Sequence, residues 1–172
     1  MDFERVLVPL DGSSFAEAAL DKAAALSTRD RTTLMLLRAA EAHVLPTGDA
    51  VEAQVTVVRE AEEYLAGVAA RLARDGFKKV ETSVWYGAPA TAIVEAAAFQ
   101  KPDLIVMNTH GRSGVGRLIL GSVAESVLRG TATPILLVRA AGAPVERPGG
   151  EATAPAPAGQ AARTTPKTEA HR

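Results

Sequence analysis

The sequence predicts an α/β domain built on a five-stranded, parallel, doubly wound sheet. Three observations carry that reading. Short apolar runs alternate along the chain with longer segments of helical periodicity, and strands separated by helices imply right-handed crossovers and a parallel sheet covered on both faces. The runs LIVM (Leu104–Met107) and ILLV (Ile135–Val138) are continuously apolar, as strands buried on both sides require. Hydrophobic residues make up 47% of the 172-residue chain but aromatics only 4%, so the core is expected to consist of Ala, Val, Leu and Ile.

Arg5–Leu10 is a β-branched run that ends in a turn and reads as the first strand. Phe15–Ser27 has apolar residues at helical spacing, and Ser14-Phe15-Ala16-Glu17 has the form of a capping box at its start. Thr33–Ala40 is the second strand. Glu41–Ala50 holds Pro46 and Gly48 and reads as a loop. Val51–Asp75 is a long helix, with Gly76 as its C-terminal cap. Lys79–Trp85 is the third strand. Pro89–Phe99 is a helix opened by proline in its first turn. Leu104–Asn108 is the fourth strand, Ser122–Arg129 the last helix, and Ile135–Arg139 the fifth strand.

After Arg139 the composition changes. Residues 140–172 are rich in Ala, Gly, Pro and Thr, with Val145 the single branched aliphatic residue and no aromatic. Such a segment buries too little apolar surface to offset its ordering entropy and reads as a disordered Ala/Pro-rich tail; a docking tail is the functional alternative. The domain is therefore 1–139.

Several function classes are disfavoured. Lys plus Arg is 19 and Asp plus Glu 20, a net charge of −1, which argues against a dedicated nucleic-acid binder. The absence of cysteine removes disulfides, thiolate metal sites and a Cys nucleophile. No apolar run approaches the roughly 18 residues that span a bilayer, and the charged start Met1-Asp2-Phe3-Glu4-Arg5 has no signal-peptide pattern. No membrane partner and a cytoplasmic location are the expectation.

Two strand ends hold the residues capable of chemistry. The first strand runs into Pro9-Leu10-Asp11-Gly12-Ser13-Ser14. The fourth runs into Met107-Asn108-Thr109-His110-Gly111-Arg112-Ser113-Gly114-Val115-Gly116, and then Gly121-Ser122 opens a helix. Glycines let backbone approach a ligand closely, and the free N–H groups of a helix start attract anions. With Arg112 and Arg117 nearby, a phosphate-bearing ligand is the natural inference. Standard motifs fail here. A Walker A loop needs Lys after its second Gly, but Arg117-Leu118 follows Gly116. A dinucleotide fingerprint needs Gly where Ile119 stands, and a nucleophile elbow around Ser113 needs Gly at Val115.

One spacing does match. Gly111 is followed by nine residues and then Gly121-Ser122. With the opening VLVPLDGS, the turn Tyr86-Gly87-Ala88-Pro89, the segment PDLIVMNTHGRSG and the ending LGSVAESVLRGTATPILLVR, this resembles the universal stress protein family, over roughly residues 3–139. ATP-binding members carry Gly-x2-Gly-x9-Gly-(Ser/Thr) after strand four. The first Gly of that motif falls on Asn108, the non-Gly residue type that best tolerates a left-handed turn.

The resemblance implies a Rossmann-like α/β/α sandwich of the adenine nucleotide alpha hydrolase type, with strand order 3-2-1-4-5. It places Pro9 and Asp11 beside adenine and ribose, Ala39 in the adenine pocket, and Met107 and Asn108 at the ribose. Thr109, His110, Gly111, Arg112, Ser113 and Gly114 would wrap the phosphates, and Gly121, Ser122 and Val123 would complete the phosphate site. It also implies ATP with Mg²⁺ or Mn²⁺ to neutralise the triphosphate, and a homodimer through Pro134–Arg139.

Plainer readings stand beside these. Asp11 equally caps the first helix with Ser13 and Ser14. Ser122 and Glu125 form a Ser-Val-Ala-Glu capping box that explains both without a ligand. His110 lacks a neighbour at metal-ligand spacing and reads as a loop or phosphate-facing residue; no protein metal site and no catalytic residue are assigned. Arg112 and Arg117 equally read as surface charge, and Trp85 and Tyr86 as anchors of a strand end. The leading function is an ATP-binding regulatory or stress-response protein with at most slow hydrolysis, since no general base is evident. A homodimeric interaction module without ATP is the alternative, and an enzyme acting on adenine nucleotides comes third.

Overall fold

The computed structural model describes residues 3–41, 50–109 and 121–139. Five strands form one parallel sheet: β1 (Arg5–Pro9), β2 (Thr33–Ala40), β3 (Val80–Tyr86), β4 (Leu104–Asn108) and β5 (Ile135–Val138). Their spatial order is β3-β2-β1-β4-β5, with every pairing parallel. Four helices join them: α1 (Ser14–Leu26), α2 (Ala50–Arg74), α3 (Pro89–Gln100) and α4 (Ser122–Gly130).

Strand alternation divides the core in two. Val6, Val8, Leu34, Leu36, Leu104 and Val106 face α1 and α2, where they meet Ala19, Leu20, Leu65 and Val68. Leu7, Met35, Leu37, Ile105 and Met107 face α3 and α4, against Ile93, Ala96, Ala97, Ala124 and Val127. The many alanines on the helices let them lie close to the sheet, and the larger strand residues fill the layer between. At the amino ends of the strands, the Asp103 carboxylate accepts from the backbone N–H of Glu4 and of Arg5, at 2.9 and 2.8 Å, and ties β1 to the start of β4.

Element limits differ from the sequence reading by a residue or so. β1 ends at Pro9, although the Leu10 N–H still donates to the Leu37 carbonyl at 2.8 Å. α2 takes in Ala50 and stops at Arg74, and Gly76 turns the chain with φ +95°. β3 is shifted by one residue, to Val80–Tyr86. The tail read from the sequence, residues 140–172, lies outside the described residues, as does most of the loop expected at Glu41–Ala50.

The order β3-β2-β1-β4-β5 puts a topological switch between β1 and β4: the chain leaves β1 for the α1 face and leaves β4 for the α4 face. Open α/β sheets bind ligands in the crevice at the carboxyl ends of such a strand pair.

Candidate functional site

The crevice is framed by two helix starts. On the β1 side, Ser13 is the N-cap of α1. Its backbone is extended (φ −83°, ψ 155°), and its Oγ accepts the Ala16 N–H at 3.2 Å. One step earlier, Asp11 Oδ1 accepts the Ser13 N–H at 2.9 Å. The capping box expected on Ser14 and Glu17 does not form. Ser14 is already helical, and Glu17 instead accepts from the Tyr64 hydroxyl at 3.1 Å and pairs with Arg71 of α2. Gly12 has φ +81°, a conformation that L side chains rarely adopt, so glycine suits the turn for a backbone reason.

The β4 side is built differently. Gly121 is the N-cap of α4 and has no side chain with which to cap it. Its backbone (φ −58°, ψ 146°) is one that any residue adopts, so conformation does not call for glycine here. The Gly121 N–H donates to the Thr109 carbonyl at 2.7 Å, and the Thr109 N–H to the Val138 carbonyl at 3.0 Å, which fixes the helix start against the ends of β4 and β5. The first bond inside the helix runs from the Glu125 N–H to the Gly121 carbonyl, at 2.9 Å. The amides of Ser122, Val123 and Ala124, in the first turn, therefore have no acceptor among the described residues. The Ser122–Glu125 capping box is also absent, because Ser122 is inside the helix and Glu125 accepts from Arg129, one turn on, at 2.8 Å. The Ser122 side chain is exposed.

Asn108 closes the crevice. It is the last residue of β4, in extended rather than left-handed backbone: Lys101 is the single non-glycine residue with positive φ among those described. The left-handed turn expected of this position is thus not formed. Leu104, Val106 and Asn108 share a face of the sheet, which turns the Asn108 side chain to the α1 side. Its Nδ2 is buried and has no hydrogen-bond partner among the described residues. An orphaned buried donor is costly, and native structures rarely leave one.

The remaining expected residues are spread around this centre. Pro9 is the half-buried end of β1, and Ala39, also half-buried, sits level with Trp85 near the end of β2. Met107 is buried, and its side chain belongs to the core under α3 and α4. Val123 packs on the same core from the first turn of α4. His110, Gly111, Arg112, Ser113 and Gly114 lie outside the described residues, as does Arg117. Trp85 meets the Phe99 ring edge-on at 6.3 Å and so anchors the strand end, while Tyr86 is largely exposed.

One pair escaped the sequence reading. Arg38 stacks over the Tyr64 ring, 4.9 Å from its centroid, and lies beside Gly12, where a Cβ would meet its guanidinium at 3.8 Å. Burial pushes the Tyr64 phenol up to about 12, helped by the Glu17 carboxylate that accepts its hydrogen bond and partly offset by Arg38. A lone charge in the apolar run TLMLLRAA was the available signal for Arg38.

A model of the universal stress protein family matches residues 2–139. The chain belongs to the universal stress protein family. A curated relative named as a universal stress protein, from Staphylococcus aureus, is 31% identical over 140 residues, covering 80% of this chain and 84% of the relative. A solved universal stress protein in complex with cAMP shares 26% identity at a TM-score of 0.63, covering 80% of this chain and 98% of its own. UspA from Lactobacillus plantarum shares the fold at a TM-score of 0.70 and 24% identity, covering 81% of this chain and 99% of its own. No helix among the described residues is long and apolar enough to cross a membrane.

Proposed function

We propose that this universal stress protein binds ATP, with Mg²⁺ or Mn²⁺ accompanying the triphosphate, and acts as a nucleotide-dependent regulator in the cytoplasm. The observation that carries the proposal is the start of α4: three first-turn amides without acceptors among the described residues, behind a glycine whose backbone does not require glycine. Absence of a Cβ leaves room for a close approach, and the amides with the helix dipole favour an anion. The orphaned Asn108 donor beside this start supports the same reading, as does the cAMP complex of a relative. In this reading Ser122 and Val123 hold phosphate, assisted by the loop from Thr109 to Gly114, while Pro9, Asp11 and Ala39 hold the nucleoside.

Among the described residues nothing has the form of a catalytic base aimed at this helix start, so binding rather than rapid turnover is the proposed role. Dimerisation through Pro134–Arg139 belongs to the same proposal. β5 is an edge strand of apolar residues, and pairing with a second copy across a two-fold axis would satisfy its outer N–H and C=O groups.

Mass spectrometry of nucleotide released from the purified protein tests the ligand, with ATP the expected species. If none co-purifies and titration with ATP and Mg²⁺ gives no heat, ATP binding is wrong. Sedimentation at micromolar concentration should show a dimer; a monomer there refutes the edge pairing.

A further inference from the structure

A second concentration of charge lies at the other pole of the sheet, where the strands begin. A cavity of about 540 Å³ opens there, and among the described residues Arg5, Arg31 and Lys79 line it against a single carboxylate, Glu4. The sheet itself brings two of these cations together. Arg5 is paired in register with Thr33, and the Leu34 N–H donates to the Lys79 carbonyl at 2.9 Å, so Arg5, Thr33 and Lys79 stand at one level where β1, β2 and β3 begin. Arg5 is only partly neutralised. Its Nη2 is 3.7 Å from Glu81 Oε2, beyond hydrogen-bond range, and both side chains are partly open to solvent. The Arg5 Nε is buried and has no hydrogen-bond partner among the described residues. The Asp103 carboxylate, next along the sheet, spends Oδ2 on the Glu4 and Arg5 amides. Lys79 Nζ makes one long bond, 3.4 Å, to the Arg31 carbonyl, although an ammonium has three donors.

Positive charge and unused donors thus converge on one cavity, and an anion with several oxygens complements them. A guanidinium fork and an ammonium carried on separate strands are matched by a group whose oxygens point in several directions. A phosphate monoester has three such oxygens and close to two negative charges at neutral pH. The cavity has the size of a small-molecule site rather than of a phosphate group alone, and Phe3 gives it an apolar wall for the rest of the ester. We propose that this cavity is an anion site for a small phosphate monoester, separate from the crevice at the carboxyl ends of the strands. Arg5 and Pro9, at the two ends of β1, are roughly 13 Å apart, four steps of about 3.3 Å each, and neither site needs the other.

The test follows backbone amide resonances of the full chain during titration with glycerol 3-phosphate and with inorganic phosphate, against sodium chloride at matched ionic strength. The Phe3, Arg5, Thr33 and Lys79 amides should shift saturably with both phosphates, with a Kd on the order of millimolar, and should not do so with chloride. Arg5→Gln should weaken binding by about tenfold and Lys79→Gln by roughly threefold, each losing a charge-assisted contact. Lys79 is exposed, so its variant keeps the fold, and thermal melts check both variants. Any shift at the Ser122, Val123 and Ala124 amides should be the same in the variants as in wild type, which separates this cavity from the nucleotide site. The proposal is overturned if glycerol 3-phosphate gives no saturable shift at the amino ends of the strands, if chloride reproduces the shift, or if both variants bind as wild type does.

Discussion

The two helix starts at the switch point solve the same problem in opposite ways. α1 begins closed: Asp11 holds the Ser13 N–H, Ser13 Oγ holds the Ala16 N–H, and Glu17 of the first turn is tied to α2 by Tyr64 and Arg71. α4 begins open: its cap is a bare glycine, Ser122 is exposed, and Glu125 has turned to Arg129. The glycines differ in the same sense. Gly12 has a positive φ that suits glycine, whereas Gly121 has an ordinary backbone. Side chains tie down the start of α1 and leave the first turn of α4 without acceptors among the described residues, so substitutions at the two ends should move different observables.

The largest effect is expected from closing the open end. Gly121→Asp supplies the missing cap, and its carboxylate stands where a phosphate is proposed. ATP binding should be lost in calorimetry, while the thermal midpoint holds or rises, since Asp caps slightly better than Gly, by a few tenths of a kcal/mol. A variant that still binds like wild type would show that the start of α4 does not hold the phosphate.

Opening the closed end should do the reverse. Ser13→Ala should cost about 1 kcal/mol in denaturant unfolding, and Gly12→Ala roughly 1–2 kcal/mol, because a side chain is forced into the left-handed region. Ser13→Ala should leave ATP affinity nearly unchanged. If it weakens binding as much as Gly121→Asp does, the two ends are not functionally distinct.

The smallest effect concerns the tie from α1 to α2. Tyr64→Phe removes the hydrogen bond to Glu17 and should cost about 1 kcal/mol near neutral pH. The folded phenol ionises at about 12, against 10.0 for an ordinary tyrosine. The folded state therefore holds this proton more tightly than the unfolded state. Its stabilisation is fully present below about pH 10 and is lost as the pH rises through 12. The difference in stability between wild type and Tyr64→Phe should shrink over that window. A difference that stays constant there would show that the phenol proton is not what binds α1 to α2.

The contrast between the ends was only half legible in the sequence. Alternating apolar runs sufficed for the five strands, because buried parallel strands leave little choice of residue, and Gly121-Ser122 does open a helix as read. The caps were harder. Asp11, Ser13 and Ser14 all have capping side chains, and only the backbone at Ser13 decides among them. Ser122 and Glu125 have capping-box spacing, but Arg129 lies one turn beyond Glu125 and claims its carboxylate. Arg38 escaped notice because its partners, Tyr64 and the Gly12 turn, are distant in the chain and meet it only once α2 is packed.

In the proposed site, the first-turn amides of α4, without acceptors among the described residues, receive a phosphate. The most direct measurement follows backbone amide resonances as ATP and Mg²⁺ are added. The Ser122, Val123 and Ala124 amides should shift together as they acquire acceptors, while the Ala16 amide, already bonded to Ser13 Oγ, should barely move. If the three α4 amides stay in place at saturating ATP, the open helix start is not the phosphate site.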